Sequence, residues 1–356
     1  MKICFINNRF SAHIRGGAER TIQALIAYLN EVGHEITVIE ANQNYARLAS
    51  LPKWRRFIYH SSSFLDLASF SRLRRKIKRG NFDIIWTHNL TGFGLLAFRA
   101  LGNAKKIHTM HDIQLLHPSG LMMYGAEKSI DTFIAKIYQF IVKLFFPKDA
   151  LVIFPSEWLK TLYSERGFFK HNKCILLKNP LEKTVVKTTA SELFTFLYLG
   201  QVEEHKGVEM LLKAFRKISL PCSLVIGGDG TILEKLKRQY RDSRITFLGG
   251  FENPYTYLAK ASCAVIPSIC YENLPTVALE AARAETPVIG SNTGGVKESI
   301  GVPQLLFEPR VEDLQDLMLW VLTNPEELKK LSAEGRARLA IPTTKEYWEK
   351  VSKEII

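Results

Sequence analysis

Glu272 and Glu280 stand eight residues apart in the string SICYENLPTVALEAARAETPVIGSNTGGVKE, residues 268–298. Asn-Leu-Pro-Thr follows the first carboxylate, and an Ala-rich helical pattern carries the second. A strand-like run, PVIGS, and a Gly-Gly turn come next. Free backbone N–H groups where a helix begins receive a diphosphate. A carboxylate further into that helix can accept two hydrogen bonds from a ribose diol, and the carboxylate on the loop then lies near the sugar end of the ligand. Two glutamates at this spacing also arise on any charged helix face. The whole string suits a nucleotide-sugar site.

The elements that must position these groups are βα units. KICFINN, EITVIEA, FDIIWTHN, KKIHTMHD, ALVIFPS and CILLKNP read as strands of a first half, separated by helical stretches. Ser156 reads as the N-cap of SEWLKTLYSERG. The pattern lapses at EKTVVKTTASE, and a second series follows: LFTFLYLG, CSLVIGG, ITFLGG, CAVIPS, PVIGS and QLLFEP. The strands are rich in Val, Ile and Leu, as expected for strands covered on both faces. The expected fold is α/β, with two Rossmann-like doubly wound domains facing across a cleft. Residues 1–180 form an N-terminal acceptor-binding domain, 181–192 a linker and 193–340 a C-terminal nucleotide-sugar domain. The helix in 341–356 is free to pack back on the first. Ligands bind at the carboxyl ends of such strands.

Other segments can carry chemistry. In GQVEEHKGVEMLLKAF, Lys206-Gly207 precede an amphipathic helix. A lysine there reaches a phosphate and the glycine keeps the approach open, although a surface lysine at a helix start reads the same way. Arg15-Gly16-Gly17-Ala18 opens a helix after the first strand and leaves N–H groups for an anion. It is not GxGxxG, though Glu40, ending the second strand, could mimic the acid of a dinucleotide fold. GGDG at 227–230 reads as a tight strand-to-helix turn. His111-Asp112 ends the strand KKIHTMHD and so points toward the cleft; His13 is a lesser candidate. His108 and His111 would lie on opposite faces of a strand, so no metal site is expected. Nucleophile elbows and Walker A loops are missing from the string, which leaves hydrolase and kinase readings without residues.

Bulk properties agree with a globular enzyme-sized chain. Its 356 residues suit two domains, and 46% hydrophobic with 23% charged residues is a globular composition. Apolar runs stop short of the ~20 residues a bilayer span needs, and the first is too short for a signal-peptide core. Cytoplasmic residence, peripheral on the inner face of the membrane, is the expectation. The five cysteines are scattered without metal spacing and read as reduced core thiols. The net charge of +13 is uneven: Lys53–Arg79 holds nine bases against Asp66, with Trp54, Phe57, Tyr59, Phe64 and Phe70 interleaved. Such a segment is a solvated helix face, a docking surface for anionic lipid or a nucleic-acid patch. With no nucleic-acid module around it, nucleic acid is not expected as a partner. FIAKIYQFIVKLFF (133–146) joins it as a membrane-contacting helix, or packs simply as core.

With these strings in hand, the second half resembles the retaining two-domain nucleotide-sugar glycosyltransferases of the family 4 type (glycosyl transferases group 1), which have the GT-B architecture. LYLGQVEEHKGVEMLLKAF, LVIGGDG, ITFLGG, the Glu272–Glu280 string and LLFEP carry the likeness over Leu193–Pro309. GGAER, His111-Asp112, PSEWLK and Lys178-Asn179-Pro180 carry it more loosely in the first half. The resemblance implies roles by position. Glu272 lies near the donor sugar, and the backbone of Asn273 and Leu274 meets sugar and diphosphate. Thr276 lies close to the phosphates, Glu280 binds the ribose hydroxyls, and Lys206 holds the diphosphate. Gly16 and Gly17 approach the donor phosphates and acceptor, and His111 contacts the transferred sugar.

One position departs from the family. Gln201 stands where it commonly has an arginine on the diphosphate, and a glutamine can donate a hydrogen bond but brings no charge. The resemblance further implies metal-independent, front-face transfer with retention, domain closure that excludes water, and a nucleoside-diphosphate sugar as donor with no separate cofactor. The acceptor implied is a saccharide or lipid-linked saccharide. Two other readings stay open: a nucleotide-sugar-binding subunit with weak catalysis, motivated by Gln201, and a GT-B nucleotide-sugar epimerase or hydrolase.

Overall fold

A computed structural model describes residues 1–8, 17–41, 66–90, 92–184 and 193–355. The chain divides into two compact units. One comprises 1–122, 127–177 and 344–356; the other comprises 123–126 and 178–343.

The first unit is built on β1 (Lys2–Asn7), α1 (Gly17–Glu31), β2 (Glu35–Glu40), α2 (Leu67–Gly80), β3 (Ile84–Thr87), α3 (Ala97–Ala100), β4 (Lys105–Thr109), α4 (Phe133–Phe145), β5 (Leu151–Phe154), α5 (Glu157–Glu165) and β6 (Cys174–Leu176). Its six strands are parallel, in the order β2-β1-β3-β4-β5-β6. Helix starts follow local chemistry: the Ser156 hydroxyl accepts the Leu159 N–H at α5, and Asp66 accepts the Ser69 N–H at α2.

The second unit runs β7 (Thr195–Leu199), α6 (Val208–Arg216), β8 (Ser223–Gly227), α7 (Leu233–Gln239), β9 (Ile245–Gly249), α8 (Tyr255–Leu258), β10 (Cys263–Ile266), α9 (Thr276–Arg283), β11 (Val288–Ser291), α10 (Val296–Ile300), β12 (Leu306–Phe307), α11 (Val311–Thr323) and α12 (Pro325–Ala337). Its parallel order is β12-β11-β10-β7-β8-β9. The last helix, α13 (Thr344–Ile355), belongs to the first unit. There Tyr347, Trp348 and Val351 join the core of Phe5, Leu25, Leu29 and Trp86, with Trp86 stacked on Tyr347 at 6.3 Å.

Both sheets reverse direction once. In the first unit the chain winds outward from β1 to β2, then restarts at β3 on the other side of β1. In the second it winds from β7 to β9, then restarts at β10 on the other side of β7. Loops leaving adjacent strands at such a reversal diverge to opposite faces of the sheet and leave a crevice at the carboxyl ends. The reversals therefore mark two places: beyond β1 and β3, and beyond β7 and β10.

Candidate functional site

In the second unit, the loops that leave β7 and β10 are fastened to each other. Ile269 donates its N–H to the His205 carbonyl at 3.1 Å. Gly207 sits at φ +70°, where a Cβ would lie 1.8 Å from the Pro267 carbonyl oxygen. Only glycine lets the backbones approach so closely at that angle. The fastening brings Lys206 to Glu272, Nζ to Oε2 at 3.0 Å, with side chains 22% and 16% exposed. The Ser268 hydroxyl donates to the other carboxylate oxygen of Glu272. Burial pushes the Glu272 carboxyl upward, but Lys206, the Ser268 hydrogen bond and His205 outweigh it and hold it below the usual glutamate range. Burial works to lower the Lys206 ammonium, and Glu272 more than offsets it, leaving the lysine above its usual value. Both groups are charged at neutral pH.

The Gly-Gly turn after β11 holds this loop from beneath. Gly295 donates its N–H to the Glu272 carbonyl at 2.8 Å, and Gly294, at φ +48°, passes so close that a Cβ would lie 2.4 Å from that oxygen. Thr293 Oγ1 donates to the Cys270 carbonyl at 3.3 Å. GGDG is a tight turn after β8 that backs onto the β7 loop: Cβ atoms at Gly228 and Gly230 would meet the carbonyls of Gly200 and Val202 at 1.7 and 2.1 Å.

Asn273 and Leu274 lead from Glu272 into α9, which starts at Thr276 after Pro275 without a side-chain cap. The Ala278 N–H turns back to the Pro275 carbonyl at 3.0 Å, and with no side chain capping the turn, the positive end of the helix is left to attract an anion. Glu280 lies one turn further along and is 3% exposed. Gln201 follows the end of β7; its carbonyl accepts the Tyr198 hydroxyl at 2.6 Å. Lys206, Glu272, Gln201 and the entry to α9 thus all leave the two strands at the reversal.

Gly17 and His111 belong to the first unit. Gly17 opens α1, while Gly16, Arg15 and His13 lie outside the described residues. His111 is not the strand's last residue, as the pattern suggested. β4 stops at Thr109, Met110 makes a final bond to the Ile153 carbonyl, and the chain turns where Asp112 Oδ1 accepts the Gln114 N–H at 2.7 Å.

That turn places His111 beside a residue the sequence reading passed over. His88, just beyond β3, has its Nδ1 2.9 Å from His111 Nε2, with the rings stacked at 5.1 Å. Asn89 donates to Asp112 Oδ2 at 2.9 Å. Burial drives His88 well below the usual histidine range, aided by His111 and His108, and takes His111 to about 4. Both rings are neutral at physiological pH. Burial also raises the Asp112 carboxyl to about 6, against the pull of the Gln114 amide. The available signal was the carboxyl-end rule applied to FDIIWTHN as it was to KKIHTMHD. Ser268 was likewise legible as the polar residue ending CAVIPS. His108 turns away to Thr87 Oγ1, 2.8 Å from its Nδ1, and no cluster of three metal-ligating side chains occurs among the described residues.

Comparison with known proteins agrees with this architecture. A Glycosyltransferase Family 4 model matches residues 15–182 and a Glycosyl transferases group 1 model matches 182–338. The chain is 25% identical over 348 residues to an uncharacterized 42.6 kDa protein in the cps region of Klebsiella pneumoniae, covering 89% of this chain and 91% of that one. It is 23% identical over 338 residues to the N-acetylgalactosamine-N,N'-diacetylbacillosaminyl-diphospho-undecaprenol 4-alpha-N-acetylgalactosaminyltransferase of Campylobacter jejuni, covering 88% and 89%. Among solved structures, sucrose-phosphate synthase from Thermosynechococcus elongatus superposes with a TM-score of 0.72 at 19% identity, over 99% of this chain and 96% of that one. HepE of Anabaena in complex with UDP-glucose gives 0.73 at 16%, over 99% of each. The two family models together span residues 15–338, and the chain belongs to the family 4 (glycosyl transferases group 1) glycosyltransferases, with the GT-B fold.

Proposed function

We propose that this protein transfers a sugar from a nucleoside-diphosphate sugar, UDP- or GDP-linked, to a saccharide or lipid-linked saccharide in surface polysaccharide or glycolipid synthesis. The observation that carries the reading is the Lys206–Glu272 pair at the sheet reversal, beside the uncapped start of α9 and ahead of buried Glu280. An ammonium has three donors, so Lys206 can keep Glu272 and still meet a phosphate oxygen. Charge that develops on the leaving diphosphate is met by Lys206 and the first-turn amides, which are already in place and need no reorganisation. No separate cofactor is then required. Glu280 takes the ribose hydroxyls, Glu272 and His111 the sugar, and the anomeric configuration is retained. HepE is described in complex with UDP-glucose, which supports a nucleoside diphosphate as donor product. The Campylobacter relative is named for a diphospho-undecaprenol saccharide, which supports a lipid-linked acceptor, and two Escherichia coli relatives are named for O-antigen biosynthesis, which supports a place in surface polysaccharide synthesis.

Melting curves with UDP, GDP, ADP, dTDP and CMP and their common sugars, in EDTA, test the donor site. One base should raise the melting temperature, and Glu280→Ala should abolish the rise. No rise with any nucleotide would remove the reading. A second reading has its own observation, the neutral Gln201 after β7 where the family commonly has an arginine: a nucleotide-sugar-binding subunit with weak catalysis. Gln201→Arg should strengthen donor binding about tenfold if a charge-assisted contact replaces a neutral one. Tighter binding with turnover still near zero would favour the subunit.

A further inference from the structure

Helix α4 packs in an unusual way. Ala135, Tyr138 and Val142 face inward, and the Gln139 amide donates to the carbonyls of Ile130 and Leu116, so the helix is anchored. The opposite stripe is also apolar and faces solvent: Phe133 is 80% exposed, Ile134 73%, Ile137 45%, Phe140 69% and Leu144 60%. Among the described residues, the five most exposed large apolar side chains are four of these and Leu67, at the amino end of α2. Core packing, one of the two readings of this segment, accounts for only one side of the helix. A continuous exposed stripe of this kind marks an interaction surface.

The neighbouring charge identifies what covers it. α3 packs on α2. From α3, Arg99 reaches α4, donating to the Leu144 carbonyl at 2.9 Å with its guanidinium 5.4 Å from the Phe145 ring centroid. α2 exposes Arg72, Arg74, Arg75, Lys76, Lys78 and Arg79 and contains no acid; of the carboxylates flanking it in sequence, Asp66 is engaged as the N-cap and Asp83 accepts the Lys2 N–H. A second copy of the chain would bring these bases, and a net charge of +13, against themselves. An exposed apolar stripe joined through α3 to a dense cationic row fits an apolar phase beneath an anionic layer.

We propose that α4 and α2 form a docking face for an anionic phospholipid bilayer. Phe133, Ile134, Ile137, Phe140 and Leu144 enter the boundary between headgroups and acyl chains, while the bases of α2 lie on lipid phosphates. At 13 residues, α4 is about 20 Å long and lies in the plane of the interface. No described helix is long and apolar enough to cross a membrane. The assignment stands apart from the donor site and does not depend on it.

Cosedimentation of the full chain with vesicles tests it, using phosphatidylglycerol–phosphatidylethanolamine against pure phosphatidylcholine, at low salt and at about 0.15 M. The chain should bind the anionic vesicles preferentially. F133S/F140S should weaken that binding about a hundredfold at either salt, roughly tenfold for each large side chain removed. R74Q/R75Q/K78Q should weaken it on the order of a hundredfold at low salt, about fivefold per base, and flatten the salt dependence. These positions are exposed, so both variants should keep the parent's melting temperature and any nucleotide-induced rise. Failure of the parent to bind anionic vesicles would overturn the proposal, as would equal binding by F133S/F140S. Self-association of the parent that F133S/F140S abolishes would assign the face to a second copy and overturn it as well.

Discussion

Replacing Lys206 by methionine would separate what the lysine does for the fold from what it does for a ligand. Lys206 and Glu272 are a largely buried pair at 3.0 Å. Methionine retains most of the stem and removes the charge. Glu272 would keep the Ser268 hydrogen bond but lose the strongest opposition to its burial. Breaking a fully buried pair costs about 3–5 kcal/mol, and residual exposure reduces that here to roughly 2–3. For a unit of this size the loss corresponds to a fall of about 5–10 °C in melting temperature near neutral pH.

The sign of the pH dependence is fixed by Glu272. In the parent its pKa is depressed, so the pair's contribution is present above the ordinary glutamate range and disappears only as pH falls through the depressed value. Without Lys206 the carboxyl is pushed upward instead, and it destabilises the fold at neutral pH until a proton relieves it. The gap between K206M and the parent should therefore narrow by at least 1 kcal/mol between about pH 7.5 and about pH 5. E272Q and K206M/E272Q complete a cycle whose coupling should exceed about 1 kcal/mol. Denaturant melts at both pH values read all four proteins. A K206M penalty independent of pH, or additive single substitutions, would refute the account of the pair.

Two further substitutions probe other contacts. G207A should cost about 3 kcal/mol or more, because a Cβ at φ +70° meets the Pro267 carbonyl at 1.8 Å. G33A, at φ +86° with nothing within 4 Å, should cost only about 1, so equal melting temperatures for the two would contradict the close approach of the β7 and β10 loops. Asp112, raised to about 6 from its usual 3.8, contributes stability that is present below the ordinary aspartate range and is lost as pH rises through about 6. Relative to D112N, the parent should lose about 1.5 kcal/mol between about pH 5 and about pH 8. Parallel pH profiles for the two would show that Asp112 titrates normally.

Much of this architecture is written in local pattern. The run CSLVIGG folds as β8 and EWLKTLYSE as α5, capped by Ser156, because apolar periodicity and cap chemistry act over one element at a time. The apolar stretch FIAKIYQFIVKLFF was ambiguous for the same reason. Periodicity reports that a helix has apolar faces, and it cannot report which of them the rest of the chain covers. Only the packing separates Tyr138 and Val142, which are inside, from Phe133 and Phe140, which are not. His88 was overlooked because its neighbour in space, His111, lies 23 residues away, just beyond the adjacent strand.

By itself, then, the amino-acid sequence determined the strands, the helices, the glycine turns and the residue types that end up at strand tips. The tertiary structure alone decided which tips meet. Lys206 and Glu272 are separated by 66 residues, and no local rule pairs them. They touch because β10 is laid beside β7 rather than beside β9, a choice of strand order made by the burial of both sheet faces together. Adjacent parallel strands put their carboxyl ends within a few ångströms of each other, and the charges carried on the following loops are then close enough to shift one another's ionisation.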